Sequence, residues 1–155
     1  MYQHIMVPLD GSELAECVLP HVVAAAEGKE LSKVTLVRVV TPLHMYGGVE
    51  SRFSPEERRR LEADSIDTAR SYLEKVAEQL KDAGITAEPA VLFGNVIDTL
   101  VDYATKNEVD LIIIATHGRS GVSRWVWGSV TDRILRSACA PVLMVRAPGC
   151  PVPGI

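Results

Sequence analysis

The sequence contains few cysteines and no long hydrophobic run. Its three cysteines, Cys17, Cys139 and Cys150, are widely spaced and form no CxxC pair, so neither a disulfide framework nor a zinc site is predicted. The longest apolar runs, such as 111–115, fall far short of the roughly 20 residues that cross a bilayer, and the first residues resemble no signal sequence. We therefore expect a cytoplasmic protein with no membrane partner.

An excess of positive charge is also absent. Sixteen lysines and arginines stand against twenty aspartates and glutamates, for a formal net charge of -4. This balance offers no broad electrostatic surface to nucleic acid, so we expect no nucleic-acid partner. With 47% hydrophobic and 23% charged residues in 155, the composition is that of one globular domain. We assign residues 1–147 to that domain and 148–155, rich in proline and glycine, to a loosely ordered tail.

Runs rich in β-branched residues alternate with segments of helical periodicity along the chain. This alternation is typical of parallel strands joined by crossover helices. We predict an α/β fold, a three-layer α/β/α sandwich around a five-stranded parallel sheet. The predicted strands are 5–9, 34–40, 86–93, 111–116 and 142–146. Helix starts are predicted at Ser12, Ser54, Asn95 and Ser129, and Gly84 is predicted to end the second helix.

Polar and glycine residues concentrate directly after the predicted strands. In an open parallel sheet, ligands bind beyond the carboxyl ends of the strands, where neighbouring crossovers leave on opposite faces. Asp10 and Gly11 follow the first strand, 41–53 follows the second, and a glycine-rich segment, 116–131, follows the fourth. We expect the site at this edge, and we expect 41–53, which has no helix or strand pattern, to be a mobile flap.

The glycine-rich segment offers a site for an anion. Gly118 and Gly121 allow a ligand to approach the backbone closely, and Gly128 and Ser129 open the last helix, whose first amides lack internal partners. In one interpretation these amides, with the hydroxyls of Ser129 and Thr131, cradle phosphates. In the other, the glycines only turn the chain and Ser129 only caps a helix. P-loop, GxGxxG and GxSxG motifs are all missing from the sequence.

Two further side chains at this edge leave alternatives open. Asp10 would bind a ribose hydroxyl, contact an adenine amino group or help to hold Mg2+, or else it forms only an Asx turn before Ser12. His117 is interpreted as a residue that shapes the loop or contacts a ligand rather than as a catalytic base. The sequence offers no committed general base or nucleophile, so fast catalytic turnover is not expected.

Four separated segments resemble the universal stress protein family, in the family's order and over essentially the whole chain. They are 5–12 (IMVPLDGS), 110–121 (DLIIIATHGRSG), 128–131 (GSVT) and 140–146 (APVLMVR). Members of that family that bind ATP carry a G-x2-G-x9-G-[ST] signature. Here Gly118, Gly128 and Ser129 match it, and Ala115 replaces the first glycine, which adds one methyl group.

The resemblance implies an adenine-nucleotide alpha hydrolase-like fold with strand order 3-2-1-4-5. It implies an ATP- or AMP-binding regulatory or stress-response protein; a slow Mg2+-dependent ATPase and a nucleotide-independent interaction module are the alternatives. It also implies a homodimer through the last strand, 142–146, and an unpaired apolar edge strand favours the same pairing.

The nucleotide site that we predict combines this resemblance with the position of the residues at the sheet edge. By the resemblance, Pro8, Leu9 and Asp10 flank adenine and ribose, and Val39 meets the adenine through its backbone. The residues assigned to the nucleotide are Pro8, Leu9, Asp10, Val39, Ala115, His117, Gly118, Arg119, Gly121, Gly128, Ser129, Val130 and Thr131.

Overall fold

A computed structural model of the protein describes residues 2–26, 33–45, 52–116 and 129–146. It contains a five-stranded parallel sheet with the order β3-β2-β1-β4-β5. The strands are β1 (His4–Pro8), β2 (Lys33–Val40), β3 (Ala87–Phe93), β4 (Leu111–Ala115) and β5 (Val142–Val145). The predicted fold class and strand order are confirmed, and each predicted strand boundary lies within one residue of the observed one.

Helices connect the strands on both faces of the sheet. They are a 3-10 turn at Ala15–Val18, α1 (Leu19–Ala26), a 3-10 turn at Leu43–Met45, α2 (Pro55–Asp82), α3 (Val96–Lys106) and α4 (Ser129–Ser137). Side chains of α1 and α2 pack on one face, and side chains of α3 and α4 pack on the other. Along β1, Ile5 and Val7 face the first layer and Met6 faces the second, which explains why the strand is apolar throughout.

Two of the predicted helix caps are confirmed. Ser54 accepts a hydrogen bond from the Glu57 amide, and the Glu57 carboxylate accepts one from the Ser54 amide. Hydrogen bonding of that carboxylate to the backbone of Ser54, and then to its side chain, lowers the pKa of Glu57. The Asn95 side chain accepts from the first amides of α3. Gly84 follows the end of α2 with a φ of +82°, a conformation that favours glycine.

The predicted start of the first helix at Ser12 is wrong. The chain first forms the 3-10 turn, in which Leu19 donates to the Glu16 carbonyl, and the α-helix begins only at Leu19. Pro20 explains the delay, because it has no N–H to donate to the carbonyl four residues before it. The last helix begins at Ser129 itself.

Some predictions concern residues that the structure does not describe. The tail at 148–155, Cys150 and the central part of the predicted flap, 46–51, lie outside the described residues. Among the helices that are described, none combines the length and apolar character needed to cross a bilayer.

Candidate functional site

A cavity of about 790 Å³ opens at the carboxyl edge of the sheet. Its walls are the ends of β1, β2 and β4, the first half of α2 and the first turns of α3 and α4. The volume lies in the roughly 300–1,000 Å³ range of small-molecule sites. The cavity occupies the switch point, since β1 and β4 are neighbours whose following helices pack on opposite faces.

The structure brings part of the predicted site together at this cavity. The predicted residues that line it are Pro8, Leu9, Asp10, Val39, Ala115, Val130 and Thr131. His117, Gly118, Arg119, Gly121 and Gly128 lie outside the described residues, as does the side chain of Ser129. For the seven lining residues, a role in nucleotide binding remains a prediction.

The backbone of Val39 presents its polar edge to the cavity. Strands β1 and β2 pair in register as far as Pro8 and Val37, and the Leu9 amide donates to the Val37 carbonyl over 2.8 Å. Alternate residues of a parallel strand direct their N–H and C=O groups to the same neighbour. Val39 therefore directs these groups to the β1 side, beyond the last residue pair, where β1 has already ended.

Asp10 is held in an Asx turn, one of the alternatives that the sequence left open. The amide and the hydroxyl of Ser12 both donate to Oδ1 of Asp10, over 2.9 Å and 2.5 Å. The Ser12 hydroxyl oxygen also accepts from the Ala15 amide over 3.2 Å. These bonds fix the carboxylate at the end of β1, in the cavity wall. Its predicted roles toward ribose, adenine or Mg2+ are compatible with this turn.

Thr131 and Ala115 join α4 to the end of β4. The Thr131 side chain is buried, and its hydroxyl donates to the Ala115 carbonyl over 3.2 Å. Because that proton is already used, a phosphate contact from Thr131 would have to come from its backbone amide, one of the first amides of α4 that lack a partner within the helix. Ala115 is also buried and is part of the core against which α1 and α2 pack.

Arg38 is a wall residue that the sequence reasoning missed. Arg38 is one of the residues that line the cavity, and its guanidinium carbon lies 5.5 Å from the centroid of the Tyr72 ring. Burial, followed by the negative charges of Glu16 and Asp10, raises the pKa of the Tyr72 hydroxyl. The signal was available in the sequence, since Arg38 interrupts the otherwise apolar second half of the β2 run KVTLVRVV.

The predicted flap begins with a structured turn. The expectation that 41–53 lacks any helix is wrong for Leu43–Met45, which forms a 3-10 turn. The Leu43 amide donates to Oε1 of Glu62 over 3.0 Å, so the turn is tied to α2 at the cavity wall. Glu62 and Asp64 add two carboxylates to that wall.

Comparison with known proteins agrees with this geometry. The sequence profile of the universal stress protein family matches residues 1–146. Universal stress protein MJ0577 from Methanocaldococcus jannaschii is 28% identical over 156 residues, which cover 94% of this chain and 96% of the relative. A solved structure of MJ0577 has a TM-score of 0.80 at 28% identity, with 94% of this chain and 96% of that chain covered.

Two further solved structures share the fold. One is a universal stress protein in complex with cAMP, with 22% identity, a TM-score of 0.64 and coverage of 93% of this chain and 96% of that chain. The other is a universal stress protein family protein from Arabidopsis thaliana with AMP bound, with 16% identity, a TM-score of 0.62 and coverage of 95% and 93%. Since the family profile spans all five strands and the sheet has the expected order, the chain belongs to the universal stress protein family.

Proposed function

We propose that this protein is a regulatory protein of the stress response that binds ATP or AMP in the cavity at the carboxyl edge of the sheet. The observation that carries the proposal is the convergence of three groups on one cavity: the polar backbone edge of Val39, the Asp10 carboxylate and the N-terminal turn of α4. Two proteins of the same fold hold cAMP and AMP.

The charges around the cavity favour one orientation of the nucleotide. Asp10, Glu62 and Asp64 place carboxylates on the side of β1 and α2, where they would repel a phosphate that neither Mg2+ nor a neighbouring arginine neutralises. The first amides of α4 and the helix dipole favour an anion at the opposite side. We therefore place the base at Val39 and the phosphates at α4, next to the predicted cradle formed by residues 118–131.

The apolar part of the wall suits an aromatic base. Val37, Val39, Leu100 and Ile114 line the cavity on the side of α3. A base that packs against these side chains and hydrogen-bonds to the Val39 backbone would be held by both apolar burial and directional bonds. This combination selects a flat ring with a donor and an acceptor on one edge, as adenine has.

Mg2+ is part of the proposal. When bound, it would neutralise phosphate charge, and Asp10 is the residue that fits it, because Mg2+ is usually held by one or two carboxylates together with ligand phosphates. Within the four described stretches, no cluster of three or more His, Cys, Asp or Glu side chains is arranged as a metal site. A slow ATPase that uses the same cavity is the alternative to a regulatory protein that only binds the nucleotide.

A second candidate function is assembly through β5, with or without nucleotide. This strand is at the edge of the sheet. Two large apolar side chains are exposed near it: Leu143 on β5, at 40%, and Leu135 on α4, at 44%. An apolar edge strand tends to pair with another chain. We therefore propose a homodimer through Val142–Arg146, in the cytoplasm.

Calorimetric titration with ATP and with AMP, each with and without Mg2+, tests nucleotide binding. We expect micromolar affinity, near -8 kcal/mol, for the unmodified protein. Gly128→Val, just before α4, should abolish binding, and Ser129→Ala should weaken it about tenfold to a hundredfold, by roughly 1–3 kcal/mol. Ser71→Ala, on an exposed position of α2, serves as the matched control and should leave binding unchanged.

Asp10→Ala separates its possible roles. A loss of affinity that depends on Mg2+ supports a metal contact, and an equal loss in both conditions supports a contact to the nucleoside. Mass measurement of any co-purified ligand and a phosphate-release assay distinguish a binding protein from a slow ATPase. If the unmodified protein binds neither ATP nor AMP at millimolar concentration, the proposed function is wrong.

A further inference from the structure

Arg38 is a half-buried cation whose position is fixed by its surroundings. On β2, Leu36 and Arg38 point to the α2 side of the sheet. The guanidinium lies over the ring of Tyr72 and against the backbone of Gly11, where an added Cβ would stand 2.8 Å from Nη1 and 3.0 Å from Cζ. A ring and a backbone segment therefore hold the guanidinium in place at the end of β1.

The donors of this guanidinium are not used by the part of the chain that the structure describes. Among residues 2–26, 33–45, 52–116 and 129–146, the guanidinium lies over the Tyr72 ring and makes no hydrogen bond or ion pair. Arginine carries five N–H donors in a planar fork that suits phosphate and carboxylate oxygens. A half-buried fork in a cavity wall, without an acceptor, is suited to an acceptor that arrives with a ligand.

The phosphates that α4 is proposed to hold cannot serve Arg38 as well. Arg38 points to the α2 side of the sheet, whereas α4 packs on the opposite face, so the two positions lie on different sides of the sheet edge. The cavity therefore contains two separate positions for negative charge. They are the first turn of α4 and the guanidinium of Arg38.

The ribose lies between these positions in the proposed orientation. With the base at Val39 and the phosphates at α4, the sugar sits above Asp10, next to Gly11, whose backbone Arg38 contacts. Oδ1 of Asp10 already accepts two hydrogen bonds from Ser12, which reduces its repulsion of a nearby anion. An arginine beside the ribose is also the means by which dinucleotide-binding folds accept a phosphate on a ribose hydroxyl.

We propose that Arg38 binds a phosphate carried on the 2′ or 3′ position of the ribose, so that the cavity favours adenine nucleotides with a phosphate at each end of the sugar over AMP. This inference rests on the proposed function, because it uses the same cavity and the same orientation. It assigns a role to a residue outside the nucleotide signature.

The test compares AMP with adenosine 2′,5′-bisphosphate and adenosine 3′,5′-bisphosphate by calorimetric titration. We expect the unmodified protein to bind one of the bisphosphates at least about tenfold more tightly than AMP, as suits a charge-assisted bidentate contact. In Arg38→Gln this preference should disappear while the affinity for AMP changes little. Arg38→Lys keeps the charge without the fork and should retain part of the preference. Arg70→Gln, at an exposed position of α2, is the control with the same loss of charge and should retain all of it.

The outcomes separate the two proposals. If AMP binds and neither bisphosphate binds more tightly, or if the preference survives in Arg38→Gln, the role of Arg38 is wrong and the proposed function stands. If neither AMP nor the bisphosphates bind at millimolar concentration, both are wrong. Thermal unfolding of each variant establishes that it is folded, and a comparison of Arg38→Lys with the unmodified protein decides the question if Arg38→Gln does not fold.

Discussion

The hydroxyl of Thr131 donates a hydrogen bond to the carbonyl oxygen of Ala115, and both residues are buried. The bond connects the last residue of β4 to the first turn of α4 across the segment that carries the glycine signature. One side chain therefore fixes the helix whose N-terminal amides are proposed to hold the phosphates. The bond gives Thr131 a structural role that its place in the resemblance segment 128–131 did not reveal.

Thr131→Val should destabilise the protein by about 1–3 kcal/mol, because the Ala115 carbonyl would stay buried without its donor. Thr131→Ser keeps the hydroxyl and should retain most of the stability. Thr105→Val is the matched control, since the Thr105 hydroxyl bonds to the Val101 carbonyl at an exposed position of α3; its effect should stay within about 0.5 kcal/mol. Urea unfolding measures all three. Equal effects of the two valine variants would contradict the structural role of Thr131.

Ala115→Gly restores the first glycine of the signature, and we expect it to reduce stability without improving binding. The methyl group of Ala115 packs in the core, so its loss should cost about 0.8 kcal/mol of burial, and glycine in a strand costs a further 0.5–1 kcal/mol or so. Affinity for ATP should change by no more than about twofold. Calorimetry of both proteins checks this, and a tenfold gain would mean that the methyl group obstructs the nucleotide.

The sequence predicted the elements that repeat a simple physical pattern. The apolar runs around Ile5 and Ile113 could be assigned to buried strands because both faces of the sheet are covered, and Ser54 and Asn95 carry local capping signals. The strand order required the family resemblance, since periodicity does not say which strands are neighbours. The delayed start of α1 does not follow from the cap signal at Ser12, because Pro20, eight residues further on, decides where the α-helix begins.

The site was only partly predictable for a different reason. Ala115 is the last residue of β4, and Asp10 follows β1. Residues at the carboxyl ends of parallel strands are expected to line the ligand site, so both could be predicted from their positions. Arg38 and Glu62 come from the interior of a strand and from the middle of a helix, and their approach to the cavity depends on how α2 packs on β2. The bond from Thr131 to Ala115 spans sixteen positions, and no local pattern indicates it.

Gly11→Ala should cost more stability than Gly84→Ala. Both glycines have a positive φ, +85° and +82°, so both alanine variants carry the same backbone strain of about 1 kcal/mol. At Gly84 the added methyl meets no atom within 4 Å, whereas at Gly11 it would displace the guanidinium of Arg38. The difference between the two variants in free energy of unfolding, measured in urea, reports the contact of Arg38 with Gly11 in the loop after β1. Identical losses would show that Arg38 moves away without cost.

Glu62→Ala should release the turn at Leu43–Met45 from α2. Without the carboxylate, the Leu43 amide loses its acceptor, and its hydrogen exchange should accelerate by roughly tenfold, as expected for loss of one charge-assisted bond. Asp64→Ala removes the neighbouring wall carboxylate as a control.

In the unmodified protein, nucleotide should slow exchange across the predicted flap, 41–53. Equal exchange with and without nucleotide would mean that the segment is a plain linker.

Leu143→Lys should convert the proposed dimer to a monomer while the fold is retained. Leu143 is 40% exposed on the edge strand β5, so a lysine there introduces charge at the proposed interface without entering the core. Val145 on the same strand is unsuitable for this test, because it is buried and part of the core. Phe93→Lys is the matched control, since Phe93 is 48% exposed on β3 at the opposite edge of the sheet.

Light scattering at several protein concentrations measures the assembly of all three proteins. The unmodified protein and Phe93→Lys should have twice the mass of Leu143→Lys, because two copies of β5 related by a twofold axis would place the Leu143 side chains near each other and two lysines there would repel. Thermal unfolding should confirm that the Leu143 variant is folded. A dimer that persists in Leu143→Lys would exclude pairing through β5, and a dimer lost only in Phe93→Lys would move the interface to β3.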